Sequence, residues 1–271
     1  MLSARDDVPL FNAFDQKYLT NARKTFNIWA CLCSKFMEAN SLIKDNLRDV
    51  LRNIEDAKRN RSANIKSDVK LVAVTKNHPV EMMQDAIDNG VTDIGENRIQ
   101  EAIEKFSTLD RFVTKHLIGH LQTNKVKQAV RYFDLIHSID SQRLAQAVDR
   151  AASSLNKIQD VLIQVNLARE ESKSGVDPDD LNDLLSTVEN CNNLKLKGLM
   201  LIAPNYEQVE QCRPLFRQMY EIFRRQKEVY PSIEYLSMGM THDYKIAVEE
   251  GANLVRIGTA IFGARDYRKA A

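Results

Sequence analysis

Short apolar runs alternate with helical patterns along most of the chain, beginning near residue 69. Eight such runs are present: VKLVAVT (69–75), VTDIG (91–95), KHLIG (115–119), FDLIHS (133–138), DVLIQVN (160–166), LKGLML (196–201), IEYLSMG (233–239) and NLVRIG (253–258). The segments between the runs carry apolar residues at helical spacing, as at Leu181, Leu184, Leu185 and Val188. Buried-type strands that alternate with helices indicate a parallel sheet with right-handed crossovers.

Eight strand–helix units in about 200 residues predict a single closed (β/α)8 TIM-type barrel. A doubly wound open sheet is the alternative, because counting strands from one sequence is error-prone. Gly90 and Gly251 each follow a helical pattern and precede a strand. We expect both glycines in the left-handed conformation that commonly ends a helix.

The first forty residues lack this rhythm. After them, Ile43, Leu47, Val50, Leu51 and Ile54 share one face of an amphipathic helix. We therefore predict a dispensable N-terminal extension of residues 1–40, and a barrel with its N-terminal helix in residues 41–271. The alternative for residues 1–40 is a helical arm that packs on the protein.

Composition narrows the function classes. Lys and Arg number 38 against 37 Asp and Glu, so the net charge of +1 gives no global reason to expect nucleic acid or an acidic membrane as partner. No apolar run approaches the ~20 residues of a membrane span, and the N-terminus lacks a signal-peptide pattern. We predict a cytoplasmic protein whose cysteines are reduced thiols without zinc-ligand spacing: Cys31, Cys33, Cys191 and Cys212.

Active groups in a barrel of this kind cluster at the carboxyl ends of the strands. Lys76 follows the first predicted strand, Asn97 follows the second, and Asn166 ends the fifth. Lys76 has two interpretations. It is either a lysine that leaves the sheet into solvent, or a partly desolvated amine that condenses with a carbonyl group as a Schiff base.

The ends of the last two strands indicate a phosphate site. Ser237 ends the seventh run, while Gly258 and Thr259 follow the eighth, where barrels commonly bind phosphate. Gly258 permits close approach, and Thr259 is expected to cap the following helix. A phosphate site opposite a reactive Lys76 suits a Schiff-base aldolase of sugar phosphates, or an anchor for pyridoxal phosphate (PLP).

Arg256 bears on that choice. Alternation along the strand puts it on the same face as Gly258, toward the predicted phosphate site. The other interpretation is an outward arginine paired with a helix. If Arg256 faced a pyridine nitrogen, it would donate a hydrogen bond and disfavour protonation of the ring, which weakens the ring as an electron sink.

The histidines give a weaker signal. His116, His120 and His137 lie near the third and fourth strands without metal-ligand spacing, so we interpret them as satisfied core or loop residues and predict no metal site. His242 and Asp243 are adjacent in sequence, and adjacent residues rarely face each other.

Together these motifs resemble the YggS-type pyridoxal phosphate homeostasis proteins, whose fold is similar to the N-terminal barrel of alanine racemase. The resemblance runs from about Ser41 to Phe262 through LVAVTKNHPVE, IGENRIQE, HLIGHLQTNKVK, HSIDS, VNLAREESKSG, KGLMLIAP and LSMGMTHDYKIAVEEGANLVRIGTAIFG. Two departures are Thr241, where many members have Ser, and Arg98, where several have Tyr.

The resemblance implies a residue-by-residue assignment of a PLP site. Lys76 would hold PLP covalently, and Arg256 would face the pyridine nitrogen. Ser237, Gly258 and Thr259 would hold the phosphate, while Asn97 and Asn166 would line the pocket.

The resemblance also implies a function in intracellular PLP (vitamin B6) homeostasis, without strong catalysis and with no catalytic residue assigned. The alternative is a low-activity PLP-dependent amino-acid racemase. Racemisation needs a second base, which alanine racemase takes from a further domain, and we expect that domain to be absent after Ala271. We expect PLP-dependent apo-enzymes as candidate recipients, no nucleic acid or membrane partner, and a monomer or weak dimer.

Overall fold

The computed structural model describes residues 42–170 and 174–264 of the 271-residue chain. The predicted extension of residues 1–40, with Cys31 and Cys33, lies outside these ranges and stays a prediction. Cys191 and Cys212 are thiols that form no disulfide in the described part of the chain. Among the described residues, no helix is long and apolar enough to cross a membrane.

Strands and helices alternate throughout the described chain. In order they are α1 (residues 42–59), β1 (Lys70–Val74), α2 (Val80–Asp88), β2 (Asp93–Glu96), α3 (Ile99–Thr108), β3 (Thr114–Leu117), α4 (Val126–Tyr132), β4 (Leu135–Ile139), α5 (Gln142–Ser154), β5 (Gln159–Val165), α6 (Leu181–Glu189), β6 (Leu194–Leu201), α7 (Arg213–Val229), β7 (Tyr235–Ser237), α8 (Tyr244–Glu249), β8 (Leu254–Ile257) and α9 (Thr259–Phe262). All eight predicted strands are confirmed.

The strands form a closed parallel barrel in sequence order, because β8 pairs with β1. The predicted (β/α)8 barrel is therefore confirmed, and the open-sheet alternative is wrong. Strand alternation divides the core in two. Alternate side chains, such as Ala73, Ile94 and Val255, pack outward against the helices, whereas Leu162 and Met200 belong to a smaller cluster inside the barrel.

Helix α1 packs through a narrower stripe than its sequence predicts. Ile43, Leu47, Val50 and Ile54 are buried, as expected for the apolar face. Leu51 was expected on that face but is 50% exposed, so this part of the prediction is wrong. Position i+8 lies at the edge of the apolar face of a helix. The face of α1 that packs against the barrel is too narrow to include it.

Three of the described glycines with positive φ close turns that bear on the site or on its sequence prediction. Gly90 (φ 98°) and Gly251 (φ 104°) end α2 and α8, as predicted from their places after the helical patterns. Gly239 (φ 94°) forms the turn after β7. A Cβ on Gly239 would lie 2.6 Å from the Ala247 Cβ and 2.9 Å from the Tyr244 Cα, whereas one on Gly90 would meet nothing within 4 Å.

These two glycines provide a matched test of turn packing. Gly90→Ala introduces only backbone strain, which we expect to lower the free energy of unfolding by about 1–2 kcal/mol. Gly239→Ala adds a clash with α8 at nearly the same φ. We expect it to lower the free energy of unfolding by about 1–3 kcal/mol more than Gly90→Ala does. Urea unfolding of both variants measures the difference. Equal losses would show that α8 does not press on the turn.

Candidate functional site

A cavity of about 230 Å³ opens at the carboxyl ends of the strands. Five of the seven predicted site residues line it: Lys76, Asn97, Arg256, Gly258 and Thr259. Larger concavities of about 430, 450 and 630 Å³ lie elsewhere on the described part of the protein. The small cavity is the stronger candidate, because an amine, a guanidinium and hydroxyl groups converge on apolar walls there.

The other two predicted residues lie outside the lining. Ser237 is fully buried, and its hydroxyl contacts Arg256 and His137 rather than the cavity. The Asn166 amide donates to the Glu170 carbonyl (2.9 Å), so it closes the loop after β5. The structure thus brings five predicted residues together and sets these two apart.

The turn that carries Lys76 is anchored on both sides. Thr75, the residue before it, is fully buried, and its backbone N–H donates to the Gly95 carbonyl (3.1 Å). Asn77, the residue after it, adopts the left-handed region (φ 61°), and its N–H donates to the Glu101 carboxylate (2.5 Å). The chain is therefore fixed immediately before and after the lysine.

Lys105 of α3 holds this anchor together. Its amine donates to the Thr75 carbonyl (2.8 Å) and to the carboxylates of Glu96 (2.8 Å) and Glu101 (2.6 Å). Glu96 also accepts from the Thr75 hydroxyl (2.7 Å) and is fully buried. Burial raises the pKa of Glu96, and Lys105 opposes that rise. One lysine thus compensates a buried carboxylate directly behind the Lys76 turn.

Arg256 forms the floor of the cavity. It is only 3% exposed, as expected for an inward residue of a barrel strand, so the predicted orientation is confirmed. Its guanidinium donates to the Ser237 hydroxyl (2.5 Å) and to the Leu201 carbonyl (2.9 Å). Burial lowers the pKa of Arg256 to about 10, against the opposing charge of Asp243. The guanidinium is therefore a cation at neutral pH. These two hydrogen bonds use only part of its five N–H donors.

Glycines let the walls come close together. A Cβ on Gly258 would lie 3.1 Å from the Val74 carbonyl oxygen, and one on Gly119 would lie 2.3 Å from the Asn97 carbonyl oxygen. Gly258 precedes α9 at the cap position, and Thr259 is the first residue of that helix. The expectation that Thr259 caps α9 is therefore wrong, although Thr259 does line the cavity.

The loop after β7 contributes residues that sequence reasoning did not assign to the site. Met240, Thr241 and His242 line the cavity. Their signal was available in part, since they follow a strand end in the predicted phosphate region. Gly239, with a φ of 94°, turns the backbone between β7 and these residues, and a turn of this kind cannot be located from strand periodicity alone.

Comparisons with known proteins match this architecture. Residues 46–266 fit the model of the alanine racemase N-terminal domain. A pyridoxal phosphate homeostasis protein of Aquifex aeolicus is 43% identical over 200 residues, covering 73% of this chain and 88% of the relative. PipY of Synechococcus elongatus, solved with PLP bound, is 36% identical with a TM-score of 0.71, covering 82% of this chain and all of PipY.

An alanine racemase of Clostridium difficile shares the fold. Its TM-score is 0.63 at 17% identity, and the match covers 83% of this chain and 58% of the racemase. This likeness supports the barrel architecture alone.

The Lys105 anchor gives a stability prediction with a defined pH dependence. Lys105→Met leaves the Glu96 carboxylate buried without a cation, which costs about 3–5 kcal/mol when the carboxylate is charged. Without Lys105, the pKa of Glu96 in the folded protein rises further above its unfolded value. The folded variant then binds a proton that the unfolded chain has released, so the loss should be largest near pH 8 and shrink toward pH 5.

The double variant Lys105→Met/Glu96→Gln is the control. The introduced glutamine side chain can still accept from the Thr75 hydroxyl, so most of the lost stability should return at pH 8. Unfolding measured across this range checks both results. A loss that does not change with pH would contradict the role of Lys105 as counter-ion.

Proposed function

The chain belongs to the family of pyridoxal phosphate homeostasis proteins, and from this membership we propose that it binds PLP and takes part in vitamin B6 homeostasis. The observation that carries the proposal is the convergence of Lys76, Arg256 and the ends of β7 and β8 on one cavity. The relative that was solved with PLP bound supports the same ligand.

The donor set fits each functional group of PLP. Lys76 supplies an amine for the aldehyde, and Arg256 supplies N–H groups for the ring nitrogen. PLP contributes an aldehyde that exchanges between amines and a ring that withdraws electrons. We propose that Lys76 attaches the aldehyde covalently, because the fixed turn places this residue in the wall of the cavity. Asn97 completes the wall beside Lys76, and Asn166 supports the neighbouring loop.

We propose that hydroxyl groups and a glycine hold the phosphate. Thr241 and Thr259 line the same cavity and carry hydroxyl donors, and Gly258 leaves room for an anion between them. Ser237 belongs to the site in a different way. Its contact with Arg256 supports a role beneath the ring rather than at the phosphate.

A binding role fits these residues better than catalysis. A protonated Arg256 donates to the ring nitrogen and cannot accept from it, so the ring stays a weak electron sink. Of the two functions that the sequence predicts, the names of the relatives favour PLP homeostasis over amino-acid racemisation. A cytoplasmic location, apo-enzyme recipients and a monomeric or weakly dimeric state remain parts of the proposal that rest on the resemblance.

Covalent attachment at Lys76 predicts a direct chemical test. The protein is incubated with PLP and reduced with borohydride, and the peptide that carries the added mass is identified. We expect the adduct on Lys76, and its loss in Lys76→Ala and in Lys76→Arg, since a guanidinium keeps the charge but does not condense with an aldehyde. Lys195→Ala, at an exposed position of β6, is the control that should retain it. A covalent adduct in Lys76→Ala would refute the assignment.

Phosphate recognition predicts a difference between PLP and pyridoxal, which lacks the phosphate. Thr241→Val and Thr259→Val each remove one hydrogen bond to a charged group, so we expect roughly tenfold weaker PLP binding by either variant. Pyridoxal binding should be unchanged. Ser237→Ala should weaken both ligands, because it acts through Arg256. Fluorescence titration of the ligand-free proteins measures all affinities. If Ser237→Ala weakened the binding of PLP but not that of pyridoxal, Ser237 would have to be reassigned to the phosphate.

A further inference from the structure

A row of polar side chains crosses the interior of the barrel beneath the cavity. Asp93, His116, His137, Ser237 and Arg256 come from β2, β3, β4, β7 and β8, and all five are buried. The interior of a small barrel is ordinarily filled by branched apolar side chains. Five polar groups in this space therefore require an explanation beyond packing.

The five groups form one continuous chain of hydrogen bonds. Starting at the cavity, an Arg256 nitrogen lies 2.5 Å from the Ser237 hydroxyl, which lies 3.1 Å from the His137 Nδ1. The His137 Nε2 lies 2.9 Å from the His116 Nδ1, and the His116 Nε2 lies 2.8 Å from the Asp93 Oδ1. Each ring nitrogen of both histidines is engaged.

The two ends of the chain fix its direction. Arg256 can only donate, so the Ser237 oxygen accepts from it and the Ser237 hydroxyl proton is left for His137. The Asp93 carboxylate can only accept, so the His116 Nε2 carries a proton. It follows that His116 accepts at Nδ1 from the His137 Nε2–H, and His137 accepts at Nδ1 from Ser237.

The reverse direction is disfavoured at the acidic end. It would turn a lone pair of His116 toward the Asp93 carboxylate, or it would need a second proton on the His116 ring. Burial opposes ionisation of Asp93, but hydrogen bonds from His116 and Thr92 and the charge of Lys70 hold its pKa below the ordinary value. Burial, with His116 and Arg256 nearby, holds the pKa of His137 well below its usual range. A neutral His137 is what the forward direction needs.

We propose that Asp93, His116 and His137 are positioning residues that orient the cofactor-facing arginine. Their hydrogen bonds keep the Ser237 hydroxyl turned away from Arg256, so that its oxygen always accepts from the guanidinium. Two N–H groups of Arg256 are thereby held by Ser237 and Leu201, and the remaining ones are directed at the ring nitrogen of the ligand. This inference rests on the proposed PLP site and names the groups that preorganise it.

Asp93→Asn tests the direction of the chain with little change in shape. The amide can place its NH₂ group where Oδ1 faces His116, while its oxygen takes the place of Oδ2 and stays with Lys70. Both histidines must then change from the Nε2–H to the Nδ1–H form, and His137 donates to Ser237. We expect histidine ¹⁵N shifts of the ligand-free protein to report this exchange of tautomer. We also expect affinities for PLP and for pyridoxal to fall together by about tenfold.

Thr92→Val is the matched control. It removes the hydrogen bond from the Thr92 hydroxyl to Asp93 (2.7 Å) but leaves the contacts with His116 and Lys70, so tautomers and affinities should stay as in the wild type. At His137, a glutamine can accept from Ser237 and donate to His116, whereas a leucine can do neither. His137→Gln should therefore retain more PLP affinity than His137→Leu.

The outcomes separate this inference from the proposed function. If the wild type fails to bind PLP, the proposed function fails, and orientation of Arg256 toward PLP fails with it. If the wild type binds PLP but shows Nδ1–H histidines, or if Asp93→Asn binds with wild-type affinity, the positioning chain alone is refuted. Nε2–H histidines in the wild type, with a tautomer change and weaker binding in Asp93→Asn, support it.

Discussion

Closure of the barrel between its first and last strands is the constraint on which the site depends. The register pairs Val72 with Arg256 and Ala73 with Ile257, so the end of β1 lies beside the end of β8. Lys76 and Arg256 therefore line one cavity although most of the chain separates them. In an open sheet the first and last strands would not pair in this way. The meeting of the Lys76 amine and the Arg256 guanidinium at the barrel mouth therefore depends first on the pairing of β1 with β8.

Burial of the Arg256 cation governs the rest of the interior. Moving a guanidinium out of water is unfavourable unless its N–H groups find acceptors, and a barrel core of aliphatic side chains has none to offer. The structure provides the Ser237 hydroxyl and the Leu201 carbonyl as acceptors. Ser237 then needs an acceptor for its own proton, and His137 provides it. Each polar group thus requires the next, until the chain reaches the ionised Asp93.

Sequence patterns were sufficient for the fold because the period of each strand and helix is a local property of its own residues. The inward orientation of Arg256 was predictable for the same reason, since alternation along its strand decides which way it points. Lys76 follows β1 rather than belonging to it, so spacing left two interpretations open and the family resemblance decided between them. Asn166 and Ser237 were harder: whether a residue at a strand end faces the cavity depends on the following loop. The pairing of His116 with His137 depends on register between neighbouring strands, which no pattern within one strand contains. His116 and His137 were correctly interpreted as satisfied residues, and both lie in the core, but their partners were not predictable.

Strand β2 links the two supports of the site. Asp93 and Glu96 differ by an odd number of positions, so they project from opposite faces of the strand. Asp93 is the last member of the hydrogen-bond chain that runs from Arg256 through the barrel interior. Glu96 faces α3 on the outside of the barrel, where Lys105 fixes the Lys76 turn. Gly95 between them leaves room for Val72, since a Cβ there would lie 2.9 Å from the Val72 side chain. The two networks share this strand but no side chain. The Lys76 turn and the Arg256 guanidinium are therefore supported independently, each through a network that includes a buried carboxylate of the same four-residue strand.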